Sequence, residues 1–104
     1  MRFFTATLLL AAALVRADKG DPIGYFHSDD ACQSNYYITL IDGDCTFINE
    51  TSINFTAKHS VCFLYTDDDC AQESETKDGI VEGCQTVEEL AGGAMSVVCF
   101  GQNQ

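Results

Sequence analysis

The chain has 104 residues, six cysteines, one proline and no tryptophan, and carries a formal net charge of −11. That length holds a single small domain. So acidic a surface repels phosphate backbones and anionic lipid, which argues against nucleic acid as a partner and against membrane insertion.

Residues 1–17 read as a signal peptide. Arg2 supplies the positive start, residues 3–15 an apolar core, and Val15-Arg16-Ala17 the short residues that suit a cleavage site. The apolar run is too short to span a bilayer, which needs roughly 20 residues. Removing the leader leaves three lysines (Lys19, Lys58 and Lys77) against all sixteen acids, a balance of −13. A secreted, extracellular location follows. In that oxidising compartment an even number of cysteines reads as disulfide staples for a core too small to stabilise itself.

Residues 18–24 hold Pro22 and two glycines and read as a flexible lead-in to a single disulfide-rich β domain over 25–101. Tyr25-Phe26-His27 is a first short strand, turned by Ser28-Asp29-Asp30. Residues 36–41 (YYITLI) are aromatic and β-branched, hence a strand, and Asp42-Gly43-Asp44 breaks it. Residues 45–49 form another strand. In 53–56 apolar and polar residues alternate as in a half-buried strand. Within 61–65, Val61, Phe63 and Tyr65 share one face and Cys62 and Leu64 the other. Residues 71–79 are charged and poor in apolar side chains, which predicts a loop, and Ile80-Val81 is a stub of strand. Thr86 and Glu89 make a capping-box pattern, closed by Gly92-Gly93, so any helix there has under two turns. Residues 95–100 are the closing strand and 102–104 a tail. The expected class is therefore all-β, a disulfide-stapled sandwich. The alternative is a compact α+β sandwich with a true helix near 86–94.

The strand and turn pattern repeats. Tyr25-Phe26-His27-Ser28-Asp29-Asp30-Ala31-Cys32 lies 38 positions before Phe63-Leu64-Tyr65-Thr66-Asp67-Asp68-Asp69-Cys70, and Cys32, Cys45 and Cys62 recur as Cys70, Cys84 and Cys99. A single repetition at this period suggests two related β-units rather than a solenoid.

No motif for catalysis or metal binding stands out. There is no C-x2-C pair for zinc. An EF-hand begun at Asp67 would need glycine where Gln72 stands and glutamate where Asp78 stands. Neither G-x-S-x-G nor H-E-x-x-H occurs, and His27 and His59 lack a neighbouring nucleophile in sequence. The expectation is a non-enzyme without cofactor or metal. Asn49-Glu50-Thr51 and Asn54-Phe55-Thr56 are N-glycosylation sequons, with Asn54 facing outward if Ile53 and Phe55 face the core. The acidic tips contribute Asp29, Asp30, Asp67, Asp68 and Asp69 as candidate binding residues, since a rigid exposed loop loses little entropy on binding.

The second unit, VCFLYTDDDC followed by EGCQTVEELAGGAMSVVCF, resembles a βγ-crystallin-type Greek-key motif, with Tyr65 at the hairpin aromatic and Ser96 at the closing serine. Gln72 replaces the motif's hairpin glycine. Gly92 and Gly93 stand where its calcium ligands would fall, so that function does not carry over. The whole chain after the leader is also similar to the small secreted cysteine-rich proteins of filamentous fungi, which implies an effector-like protein that binds a host or other extracellular protein. A secreted protease inhibitor or antimicrobial protein is the alternative, with residues 71–79 as its reactive loop.

Six cysteines allow fifteen pairings. The repeat selects Cys32–Cys45 and Cys70–Cys84, each clamping one hairpin loop. Cys62 and Cys99 then remain for each other, in strands that the Greek-key resemblance makes neighbours.

Overall fold

The sequence SINFTAKHSVCFLY changes phase in its middle. Ile53, Phe55 and Ala57 are buried at odd positions, and Ser60, Cys62 and Leu64 at even ones. A strand can keep one face inward through such a change only by inserting an irregularity, because the side-chain period is two. In the computed structural model, which describes residues 20–102, these residues form one 14-residue strand, β4 (Ser52–Tyr65), and its pairing with its neighbour skips register between Phe55 and His59. The predicted strands at 53–56 and 61–65 are thus two halves of one strand that bends around the core.

The other strands are β1 (Pro22–His27), β2 (Tyr37–Ile41), β3 (Cys45–Phe47), β5 (Glu73–Thr86) and β6 (Ser96–Gln102). A five-residue helix, α1 (Val87–Ala91), lies between β5 and β6. All six strands join in one antiparallel network, ordered β2-β1-β4-β6-β3 with β5 alongside β4. Of the described residues, 59% are strand and 6% helix, so the fold is all-β and the α+β alternative is set aside. The leader, the first two residues of the predicted lead-in and residues 103–104 of the tail lie outside the described residues.

Because β4 and β5 both bend, the network divides into two half-sheets. In the first, β2, β1, the start of β4 and the end of β5 lie side by side, with Phe26 opposite Ile53 and Asn54 opposite Cys84. In the second, the start of β5, the end of β4, β6 and β3 follow the same order, with Leu64 opposite Val97 and Cys45 opposite Val98. The two units of the sequence repeat therefore exchange their third strands: β3 belongs to unit one but sits in the second half-sheet, and the end of β5 does the reverse. One core fills the space between. Phe26, Phe55, Leu40, Ile53, Leu64 and Val97 are fully buried there, and Val87 and Leu90 of α1 join them. Where β6 passes under the start of β1, a side chain at Gly101 would come within 2.9 Å of both Ala57 and Ile23, so only glycine fits that seam.

Strand exchange decides the disulfides. Cys62–Cys99 forms as expected, a cross-strand bridge between directly opposed residues of β4 and β6, with a Cα–Cα distance of 4.1 Å. The other two expected pairs do not form. Cys32 bonds Cys84 and Cys70 bonds Cys45. Each hairpin tip is clamped to the third strand that the other unit contributes, because that strand and not its own lies beneath it.

Segments differ from expectation at both ends of the domain and within it, and Gln102, expected in the tail, closes β6. Residues 73–79 are strand rather than loop. As an outer strand β5 needs only hydrogen bonds from β4, so its charged sequence suffices, and Ile80 is its one buried residue. Pro22 to Gly24 are strand rather than lead-in, because Ile23 is drawn into the core. The capping box forms as read: Thr86 Oγ1 accepts from the Glu89 amide at 3.2 Å, and Glu89 Oε1 accepts from the Thr86 amide.

Candidate binding surface

Five aspartates were expected to project from the two tips, and the structure divides them by role. Asp29 turns inward. Its carboxylate accepts from the backbone amides of Ala31, Gln33 and Ser34, the last two at 2.9 Å. Asp67 does the same in the second tip, accepting from Asp69, Ala71 and Gln72 at 3.2, 3.0 and 2.9 Å. Such an acidic residue at the head of a loop satisfies amides that the turn leaves without a ladder partner. Asp30, Asp68 and Asp69 remain exposed.

Each tip folds back over the outer face of its half-sheet and is fastened there by a buried serine. Ser52 Oγ donates to the Asp29 carbonyl and accepts from the Cys32 amide at 3.1 Å. Ser96 Oγ donates to the Asp67 carbonyl at 2.6 Å and accepts from the Cys70 amide at 3.2 Å. Both serines are fully buried. Both cysteines at the fold-back take a left-handed backbone, φ 56° in each, a conformation that L residues hold only when their surroundings fix it. Here a disulfide, a serine and an aspartate fix it together. The closing serine at 96 was legible in the sequence. Its counterpart Ser52 was not singled out, although both follow the turn that leads into their unit's last strand.

The electrostatics follow from this geometry. Partial burial pushes the Asp29 carboxyl up, but the amides of Gln33, Ser34 and Ala31 outweigh that and hold it below its ordinary value of 3.8. For Asp67 the Gln72 amide is the largest influence and lowers it, against burial, with Ala71 and Asp69 adding to the lowering. Both pKa values are lower in the folded chain than in the unfolded one, so the unfolded chain binds more protons in acid. The stabilisation is complete above the ordinary carboxyl value and is lost as pH falls through the folded values. At Ser34 and Gln72, amide protection relative to an unstructured chain at the same pH is therefore expected to be complete at neutral pH and to fall away at both below about pH 3.8. Asp29→Asn should remove that pH dependence at the first tip and leave the second unchanged.

The remaining candidates are dispersed. Asp67, Asp68 and Asp69 can each bring one carboxylate oxygen within 4.8 Å of the others, but the Asp67 oxygens already serve the loop amides. His27 Nδ1 lies 3.2 Å from the Ser34 carbonyl oxygen and 3.3 Å from its hydroxyl, a tie within its own hairpin. His59 is exposed, opposite Val81 and Gln102. Asn49 is exposed in the loop before β4, and Asn54 is half-buried on the outer face beside Cys84, away from Ile53 and Phe55. Among the described residues no helix is long and apolar enough to cross a membrane. Three disulfides in so small a domain are typical of extracellular proteins.

Comparison with protein-family models, with curated proteins and with solved structures finds no match to this chain.

Proposed function

We propose that the chain is a secreted, non-catalytic binding protein of the effector type suggested by its likeness to small cysteine-rich fungal proteins, with a host or other extracellular protein as its target. The observation that carries this is the pair of equivalent tips. Each is fixed at three points, by a disulfide to the neighbouring strand, by a buried serine and by an inward aspartate. Loops held this firmly lose little entropy when a partner docks. Asp30, Asp68 and Asp69 then present charge without a structural duty, which favours a partner with a basic patch and an association that slows as salt is added. The βγ-crystallin-like repeat is the scaffold in this reading, supported by the exchanged third strands and the serine beneath each tip. The inhibitor alternative has less support, because most of its reactive loop is paired strand in β5.

The test removes charge without removing structure. Asp30→Asn, Asp68→Asn and Asp69→Ser leave the inward aspartates in place, so the circular dichroism spectrum should not change. Capture of secreted host proteins by the wild-type chain should be salt-sensitive, and the association rate of the triple variant should fall about tenfold or more. A variant that binds its target as fast as wild type would remove the tips as the site.

A further inference from the structure

Three strands have one side without a ladder partner among the described residues: β2, β3 and β5. Open edges invite pairing with another chain, and proteins usually blunt them with charge, irregularity or brevity. The edge of β5 carries Glu73, Glu75, Lys77, Asp78 and Glu82, and its register against β4 breaks three times. β3 is only three residues long. β2 is the least defended, with a single register break against β1, between Pro22 and Gly24 at its far end. It reads YITLI with no charge in it, and it leaves Tyr37 and the preceding Tyr36 more than half exposed, at 52% and 59%.

Its surroundings say what would pair there. On the outer face Tyr37 packs edge-on to Tyr25 with ring centroids 5.1 Å apart, and the His27 ring lies 6.0 Å from Tyr37. Such a platform suits a cationic side chain laid over a tyrosine ring. Residues 20–41 contain Asp21, Asp29 and Asp30 and no lysine or arginine. Asp29 and Asp30 stand at the hairpin end of the edge. Asp21 stands at the other, where its carbonyl accepts from the Asp42 amide. A second copy pairing antiparallel along this edge would set the hairpin acids of one chain near Asp21 of the other, like charge against like. A basic segment would meet acid at both ends.

We propose that the open edge of β2 captures an extended, lysine- or arginine-bearing segment of another protein as an added strand. Main-chain hydrogen bonds to β2 supply affinity, and alternate basic side chains over Tyr37 and Tyr25 supply preference. This surface borders the first tip at Asp29 and Asp30 but does not involve the second, and its affinity rests on the β2 ladder rather than on the charge of the tips.

The probe is an acetylated, amidated peptide alternating lysine and valine over six residues, titrated into the disulfide-bonded chain while backbone amide resonances are followed. Shifts are expected at residues 36–41 and Tyr25, with smaller ones at Asp29 and Asp30 and little change at 66–72. The same peptide N-methylated throughout keeps its charges but cannot donate to a ladder, and should bind at least tenfold more weakly. Tyr37→Ala should weaken the parent peptide about fivefold while leaving the spectrum of the rest of the chain intact. The proposal is overturned if the methylated peptide binds equally well, if a glutamate–valine peptide binds as tightly, or if shifts fall only on the tips. It is equally overturned if no binding occurs at millimolar peptide, or if residues 36–41 shift with protein concentration alone, which would make the occupant a second copy.

Discussion

Replacing Cys62 and Cys99 together by alanine is expected to cost about 4 kcal/mol or more and to lower the melting temperature by roughly 20 °C. The two sulfurs close a loop with a sequence separation of 37 residues, which in the chain-entropy model accounts for about 4 kcal/mol. The Cys45–Cys70 and Cys32–Cys84 bridges span 25 and 52 residues, and the same logarithmic dependence makes their entropic contributions similar. Burial separates them. Cys62 and Cys99 are fully buried in the core, whereas Cys45 and Cys84 are exposed, so only the central pair also leaves a cavity when truncated. A Cys62→Val, Cys99→Val chain should recover part of the loss by refilling that space. Thermal melts under non-reducing conditions check the order. If removing either tip bridge costs more than removing the central one, the account of the core is wrong.

The register shows why this pair has no twin and why the sequence misleads about the other two. In the first half-sheet Gly24 lies opposite Phe55, at the place that Cys62 and Cys99 occupy in the second. One half sets a phenylalanine opposite a glycine at this position, the other a cystine. Cys62 thus corresponds to Gly24, and Cys99 to Phe55, not to each other. The spacing of the cysteines hides this because α1 lengthens the second unit between its third and fourth strands. Cys32 and Cys70 do correspond, as do Cys45 and Cys84, and the bonds that form are related by that correspondence. The repeat was therefore legible, but not the exchange of third strands, which depends on which half-sheet β3 joins. Nothing local to Cys45-Thr46-Phe47 states that choice.

Other features were readable because their physics is local. Alternation in 61–65, the Asp-Gly turn at 42–43 and the capping box at Thr86 each need only neighbours in sequence. Ile80-Val81 was read as strand, but residues 73–79 of β5 were missed because an outer strand can be built from residues with little strand preference when its partner is well formed. The inward turn of Asp29 and Asp67 was missed for a related reason. Aspartate at the head of a tip suits both a solvated turn and an amide-capping one, and the choice depends on how the loop folds back over the sheet. Ser52 and Ser96 fix that fold-back from strands 20 or more residues away along the chain.

Phe26→Ala is expected to cost about 4 kcal/mol, more than Leu64→Ala at the equivalent place in the second half-sheet. Both residues are fully buried, opposite Ile53 and Val97 respectively. Their surroundings differ in what can close around a loss. Leu64 lies two residues from the Cys62–Cys99 bridge, which holds β4 to β6 whatever the packing. Phe26 has Gly24 in that position, so β1 and β4 are kept together there by ladder hydrogen bonds and by Phe26 and Phe55 themselves. Truncating the ring removes a large share of the apolar volume of that half, where the Cys32–Cys84 bridge ties the tip to β5 but no cystine joins β1 to β4. Phe26→Leu, which imitates the other half, should cost only about 1 kcal/mol. Urea unfolding of the three variants checks this, with similar slopes expected so that midpoints can be compared. If Leu64→Ala is the more damaging change, the second half-sheet and not the first depends more on its side-chain packing.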